Sequence, residues 1–152
     1  MTNKDFVLET MKRSGKLAAQ VVQEKSADMT GTELNKEDMY IPDFKAAVKR
    51  LNMLERKAGF VCKSSEGRVV KLLQPYDSSV FTGEPEDLPA QFGFVWSKDP
   101  LKAKPFIAIS TSPYMEGDCC EENGEIYRSK MDNNVFSPSA YSEGWEKVIL
   151  TA

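Results

Sequence analysis

Gly59-Phe-Val-Cys-Lys-Ser-Ser-Glu-Gly67-Arg-Val-Val70 and Gly117-Asp-Cys-Cys-Glu-Glu-Asn-Gly124-Glu-Ile-Tyr127 decide the fold of this 152-residue chain. Each opens on a glycine, runs through a short strand-like segment, turns on a second glycine and resumes as a strand. An apolar residue, Val70 or Tyr127, follows three places after the turn glycine. The first copy continues through Leu73-Gln74-Pro75-Tyr76, Phe81 and Leu88-Pro-Ala-Gln-Phe92. The second, led in by Tyr114, continues through Asp132-Asn-Asn134, Phe136-Ser-Pro138, Tyr141 and Trp145. A pattern repeated in register predicts two like units before any single residue is weighed. Ser65-Glu-Gly67 and Glu122-Asn-Gly124 mark the hairpins, because the tight turns between twisted strands need residues that accept positive φ.

Outward from these hairpins, strands are expected at 59–63, 68–73, 92–96, 105–110, 117–121, 125–130 and 145–150. The Pro-bounded, charged stretch from Trp96 to Pro105 reads as the linker between the copies. Residues 4–27 are rich in Ala, Leu, Met, Glu, Gln and Lys and lack Pro, which predicts a helix, with Thr2, Asn3 or Asp5 to cap it. Leu8, Met11, Gly15, Ala18 and Val22 form a narrow seam along it. Two readings of that seam stand: the helix packs on its own β units, or it is a docking handle for self-association or a larger assembly. On the docking reading, its removal leaves the rest folded. Residues 26–42 read as a connector. Asp43 to Arg56 shows helical spacing through Phe44, Ala47, Val48, Leu51 and Leu54, with Pro42 in the first turn and Asp43 near the cap.

The expected class is therefore α+β: an N-terminal helical segment followed by two small antiparallel β modules related by an internal repeat. The division is 1–36 for the helix and connector, 37–97 for the first module with its helical lead-in, and 98–152 for the second. Units this small bury little apolar surface, so each is expected to lean on its neighbour and on the helices.

Composition removes several function classes. The net charge is −3 with no Lys/Arg run, which speaks against a nucleic-acid partner. No apolar run approaches the roughly 20 residues of a membrane-spanning helix, and the N-terminus lacks a signal-peptide core. Histidine is absent, which excludes His-based nucleophilic triads, His–zinc sites and His pH switches together. Cys62, Cys119 and Cys120 lack the C-x₂-C spacing of a zinc site and are an odd number for a disulfide framework. They fall in the same strand of the two copies, which favours a core role; neither a metal nor a cofactor is expected. The carboxylate pairs Glu84/Glu86 and Glu121/Glu122 raise the thought of a glycosidase. They sit on turns in a chain with little room for a cleft, so the expectation is a protein that is not an enzyme.

The stretch Gly67-x-x-Val70-x-x-Leu73-Gln74-Pro75 with Leu88-Pro-Ala-Gln-Phe92 resembles carbohydrate-binding module families five and twelve, the chitin-binding type-three domains of chitinases. Tyr114-Met-Glu-Gly117, Gly124-Glu-Ile-Tyr127-Arg-Ser-Lys, Asp132-Asn-Asn-Val-Phe-Ser-Pro138, Tyr141 and Gly-Trp145-Glu-Lys-Val resemble the same pattern. Their wording is similar to copies in tail-associated proteins of phages and prophages of Gram-positive bacteria. The resemblance covers roughly residues 59–150. It implies that Phe81 and Phe136 stand where the family has an exposed sugar-stacking Trp. Phe92 and Trp145 stand where it has its closing core Trp. Val70 and Tyr127 take the place of the core Tyr after the hairpin. Tyr114 takes that of the leading Tyr, for which the first copy has Arg56.

A sugar site needs a flat aromatic face for the ring C–H groups and amides or carboxylates for the hydroxyls. Phe136 with Asp132, Asn133, Asn134 and Tyr141 has that composition; Phe81 with Gln74, Tyr76 and Asp77 is the weaker copy. The alternative for both is half-buried packing aromatics beside ordinary turn chemistry. The implied function is a non-catalytic accessory of a phage tail or baseplate. It is made in the bacterial cytoplasm and carried in a particle, where it attaches to host-surface polysaccharide. The other reading is a tail-assembly adaptor that keeps the fold without binding sugar, contacting other tail proteins or itself through the N-terminal helix.

Overall fold

The computed structural model describes the backbone of residues 3–150 and the side chains of residues 14–150. The chain is α+β. Helix α1 (Asn3–Lys25) leads through a 3₁₀ turn (Ser26–Asp28) to α2 (Gly31–Lys36), a second 3₁₀ turn (Asp38–Tyr40) and α3 (Phe44–Arg50). Two sheets follow. The first is β1 (Val61–Lys63), β2 (Val69–Leu72) and β3 (Phe92–Phe94), all antiparallel. The second is β4 (Lys104–Pro105), β5 (Cys119–Glu122), β6 (Glu125–Ser129) and β7 (Trp145–Val148), with β4 parallel to β5 and the rest antiparallel.

The two hairpins share one register. Cys62 faces Val70 as Cys120 faces Tyr127, and Leu72 faces Phe92 as Ser129 faces Trp145. The leading glycines match in conformation, Gly59 at φ 97° and Gly117 at φ 95°, and so do the turn glycines, Gly67 at φ 79° and Gly124 at φ 81°. An L side chain is strained at such angles, so glycine is what the turn requires. The N–H of Gly59 donates to Leu72 O (2.7 Å) as that of Gly117 does to Ser129 O (2.8 Å).

One core joins the copies. Cys62, Val70, Leu72, Phe92 and Phe94 of the first sheet pack with Cys120 and Trp145 of the second, with Tyr114 from the connection between β4 and β5, and with Phe44, Ala47 and Met53 from the helical lead-in. A run of rings crosses between the sheets. Phe94 stacks on Trp96 (5.7 Å), Trp96 on Tyr114 (4.3 Å) and Tyr114 on Phe106 (5.4 Å), with Trp145 edge-on to Tyr114 (5.4 Å). Trp96, read from sequence as linker, is buried in the middle of it, with Nε1 donating to Ser112 O at 2.9 Å. The expected boundary near residue 97 thus runs through the shared core.

The back of the first sheet carries a second, smaller core. Val61 and Val69 point away from Cys62 and Val70 and are covered by Val22, Leu34 and Ile41. The last turns of α1 are tied to β1 as well. Gln23 Nε2 donates to Val61 O (2.7 Å) and Gln23 Oε1 accepts from Val61 N (2.9 Å), so one side-chain amide takes the place of a neighbouring strand. This end of α1 packs on its own β unit. The seam residues Leu8 and Met11 and the capping candidates Thr2, Asn3 and Asp5 lie outside the described side chains. Replacing Gln23 with Ala is expected to cost about 1–2 kcal/mol, two hydrogen bonds of ordinary net worth. Urea denaturation measures it, and unchanged stability would mean that the amide pairing is incidental.

Three other expectations are corrected. The connector holds α2, whose start is a capping box: Thr30 Oγ1 accepts from Glu33 N and Glu33 Oε1 from Thr30 N, both at 3.1 Å. Gly31 is required there, since a Cβ would stand 2.2 Å from Trp96 O. The helix expected over 43–56 ends at Arg50, because Leu51 turns extended and Asn52 caps a new 3₁₀ turn at Met53–Glu55; Pro42 lies outside the first turn. The strand expected at 105–110 shrinks to Lys104–Pro105, after which the chain bends inward to bury Ile109.

Candidate functional site

The loop from Lys130 to Gly144 connects β6 to β7 and is built around Asn134, which is fully buried. Its Nδ2 donates to Ser129 Oγ (3.1 Å) and Gly144 O (3.2 Å), and its Oδ1 accepts from Phe136 N (3.2 Å). Its backbone exchanges two hydrogen bonds with Tyr114 (2.8 and 2.9 Å). Trp145 Nε1 then donates to Phe136 O at 2.8 Å. Both backbone groups of Phe136 are therefore held from below, and its ring is turned outward, 51 % exposed. Tyr141 lies beside it at 5.8 Å and 68°, itself 40 % exposed. Tyr141 rests on Gly144, where an added Cβ would meet its ring at 2.9 Å. The result is a corner of two half-exposed aromatic rings, packed edge to face, on a loop fixed by buried hydrogen bonds.

The other candidates divide. Asp132 and Asn133 are exposed on the same loop. Asp132 Oδ1 accepts from Glu116 N (2.9 Å), and Asn133 takes positive φ (55°) with its N–H toward Met115 Sδ (3.4 Å). Asn134 has no exposed atom to offer a ligand; its amide is spent holding the loop. In the first copy Phe81 is 53 % exposed, without an aromatic neighbour among the described residues. Gln74 is exposed and donates to Ala90 O (3.1 Å). Tyr76 is a core residue, edge-on to Phe92 at 5.7 Å, and burial pushes its hydroxyl up to about 12. The structure thus brings Phe136 and Tyr141 together and removes Asn134 and Tyr76 from the accessible surface. Met115, 40 % exposed, adjoins Asn133; the sequence reading assigned it no role.

Three of the four candidate catalytic carboxylates hold loops. Glu84 Oε1 accepts from Ser65 N (2.8 Å), Glu122 Oε1 from Ser139 N (2.9 Å), and Glu86 pairs with the buried Arg68 at 2.8 Å. All three cysteines are free and buried; burial pushes the Cys62 thiol up to about 12 and raises those of Cys119 and Cys120. Thiols so held are poor nucleophiles. Among the described residues no cluster of Cys, Asp or Glu is arranged to hold a metal ion, and no helix is long and apolar enough to cross a membrane. No family model matches this chain, and no curated protein or solved structure matches it.

Proposed function

We propose that the chain is a non-catalytic carbohydrate-binding accessory protein, carried on a phage or prophage tail and attaching to a host-surface glycan. The observation that carries the reading is the Phe136–Tyr141 corner: two half-exposed rings, packed edge to face, on a loop whose backbone is locked by Asn134 and Trp145. A pyranose lays its C–H face on one ring and its edge against the other, and little ordering entropy is lost because the loop is already fixed. The tail setting is supported by the sequence resemblance of the second copy. A shallow aromatic platform binds weakly, on the order of 0.1–1 mM or about 4–5 kcal/mol. Several copies on one particle raise the retention through avidity.

Phe136→Ala is expected to abolish retention on the recognised cell-wall polysaccharide, and Phe136→Trp to strengthen it. The fold stays intact in both, since backbone atoms hold the loop. Pull-down on purified cell wall, with a melting curve alongside, reads both effects. Full retention by a folded Phe136→Ala protein would overturn the proposal. One observation favours the assembly-adaptor reading: Leu17 and Val21 on α1 are 62 % and 44 % exposed, an apolar face suited to another helix. Under that reading Leu17→Glu lowers the sedimenting mass and Phe136→Ala changes nothing.

A further inference from the structure

The chain is acidic overall, with 23 acidic against 20 basic residues, yet its lysines are unevenly placed. Lys45, Lys49, Lys63 and Lys104 line one cleft of about 570 Å³. Lys45 and Lys49 stand four residues apart on α3 and so share a face. Lys63 ends β1, where its N–H donates to Pro42 O (2.8 Å) and draws the strand beside the start of α3. Lys104 opens β4, and its Nζ lies over the hairpin, 3.5 Å from where a Cβ on Gly67 would stand. None of the four is ion-paired among the described residues. The acids of the cleft are Asp38 and Asp43, and Asp38 is already engaged by Lys102 at 3.2 Å. Like charges gathered in a concave surface raise the local potential and draw anions to it.

We infer that this cleft binds an anionic glycan, a chain carrying phosphate, sulfate or carboxylate groups along its length. The inference rests on the carbohydrate-binding reading and adds a second, charge-reading surface to it. Lysine ammoniums are separate point charges on flexible stems, suited to several spaced anionic groups rather than to one planar group. Arginine is absent from the lining, and its one aromatic, Phe44, is buried in the core. A nucleic-acid strand would find no ring for its bases to stack on.

The test titrates the full chain with three acidic oligosaccharide probes: a sulfated hexasaccharide, an oligouronate and a polyol-phosphate oligomer. A neutral chito-oligosaccharide and a single-stranded DNA oligonucleotide of matched charge are the other arms. At least one acidic probe is expected to bind, more weakly as salt rises, and the tightest of the three assigns the anionic group. K45Q/K49Q alters two exposed side chains and leaves the melting curve unchanged. It is expected to lose about tenfold in affinity, and K63Q/K104Q the same, while Lys147→Gln, an exposed lysine outside the cleft, stays within about twofold. Binding by none of the three acidic probes, unchanged affinity in the fourfold lysine variant, or tighter binding of the DNA would each overturn the inference. Retention on neutral polysaccharide that depends on Phe136 is read separately, so loss of this inference and loss of the carbohydrate reading give different results.

Discussion

Trp145→Ala is expected to lower stability by about 3–5 kcal/mol, the range for deleting a large buried aromatic. Trp145 is 5 % exposed, edge-on to Phe106 and Tyr114 at 6.1 and 5.4 Å, and its indole N–H holds the Phe136 carbonyl. Truncation opens a cavity where rings from both halves meet and strands a carbonyl at the base of the aromatic corner. At this chain length the loss corresponds to a drop in melting temperature of roughly 6–20 °C. The shared core adds a sharper expectation: the whole chain unfolds in one transition, since Trp145 supports Tyr114 and Tyr114 supports Trp96. Urea curves followed by far-UV dichroism and by the fluorescence of Trp96 and Trp145 should coincide. Curves that separate, with the first sheet outlasting the second, would show two independent units instead.

A chain beginning at residue 37 is expected not to fold as a soluble monomer. It lacks Val22 and Leu34, whose burial alone is worth about 3–6 kcal/mol, against a total of roughly 5–15 kcal/mol for a typical domain. It also uncovers Val61 and Val69, which are at most 1 % exposed in the full chain, and frees the edge of β1 that Gln23 pairs. An unpaired apolar edge is a template for another chain. A chain beginning at residue 14 retains all these contacts and should melt as one cooperative unit. Sedimentation and thermal melting of the two truncations decide the matter; a stable monomer from residue 37 would show that α1 and α2 are dispensable, as the docking reading supposed.

What was legible in the sequence was local. Turn glycines announce themselves because few other residues accept their φ, and Asn123-Gly124 has positive φ at both positions, 53° and 81°. The equivalence of Phe92 and Trp145, which the resemblance implies, holds in the ladder register. The Thr30–Glu33 capping box was equally local but lay in a stretch whose polar composition suggested a connector. The remainder depends on contacts far apart in sequence. Gln23 reaches Val61, and Trp96 stacks on Tyr114 across a run of Pro and Lys that reads as linker. Asn134 and Tyr76 looked like site residues because they sit among polar loop residues. A buried loop also needs amides to satisfy its backbone, and only tertiary packing shows which use prevails. The four lysines of the cleft, spread from Lys45 to Lys104, form no run that composition could reveal.

The two sheets are alike in register but not in what they present to a neighbour. In the register, Phe94 of the first copy and Lys147 of the second are equivalent, each opposite the residue after the hairpin, Val70 or Tyr127. Phe94 enters the ring stack, whereas Lys147 reaches solvent and meets Glu125 at 3.3 Å. Solenoids grow because every repeat offers its neighbour the same face. Here the face that one copy uses for joining is, in the other, already terminated by charge. A further copy packed on β7 as the second copy packs on β3 would meet a lysine where the first presents Phe94.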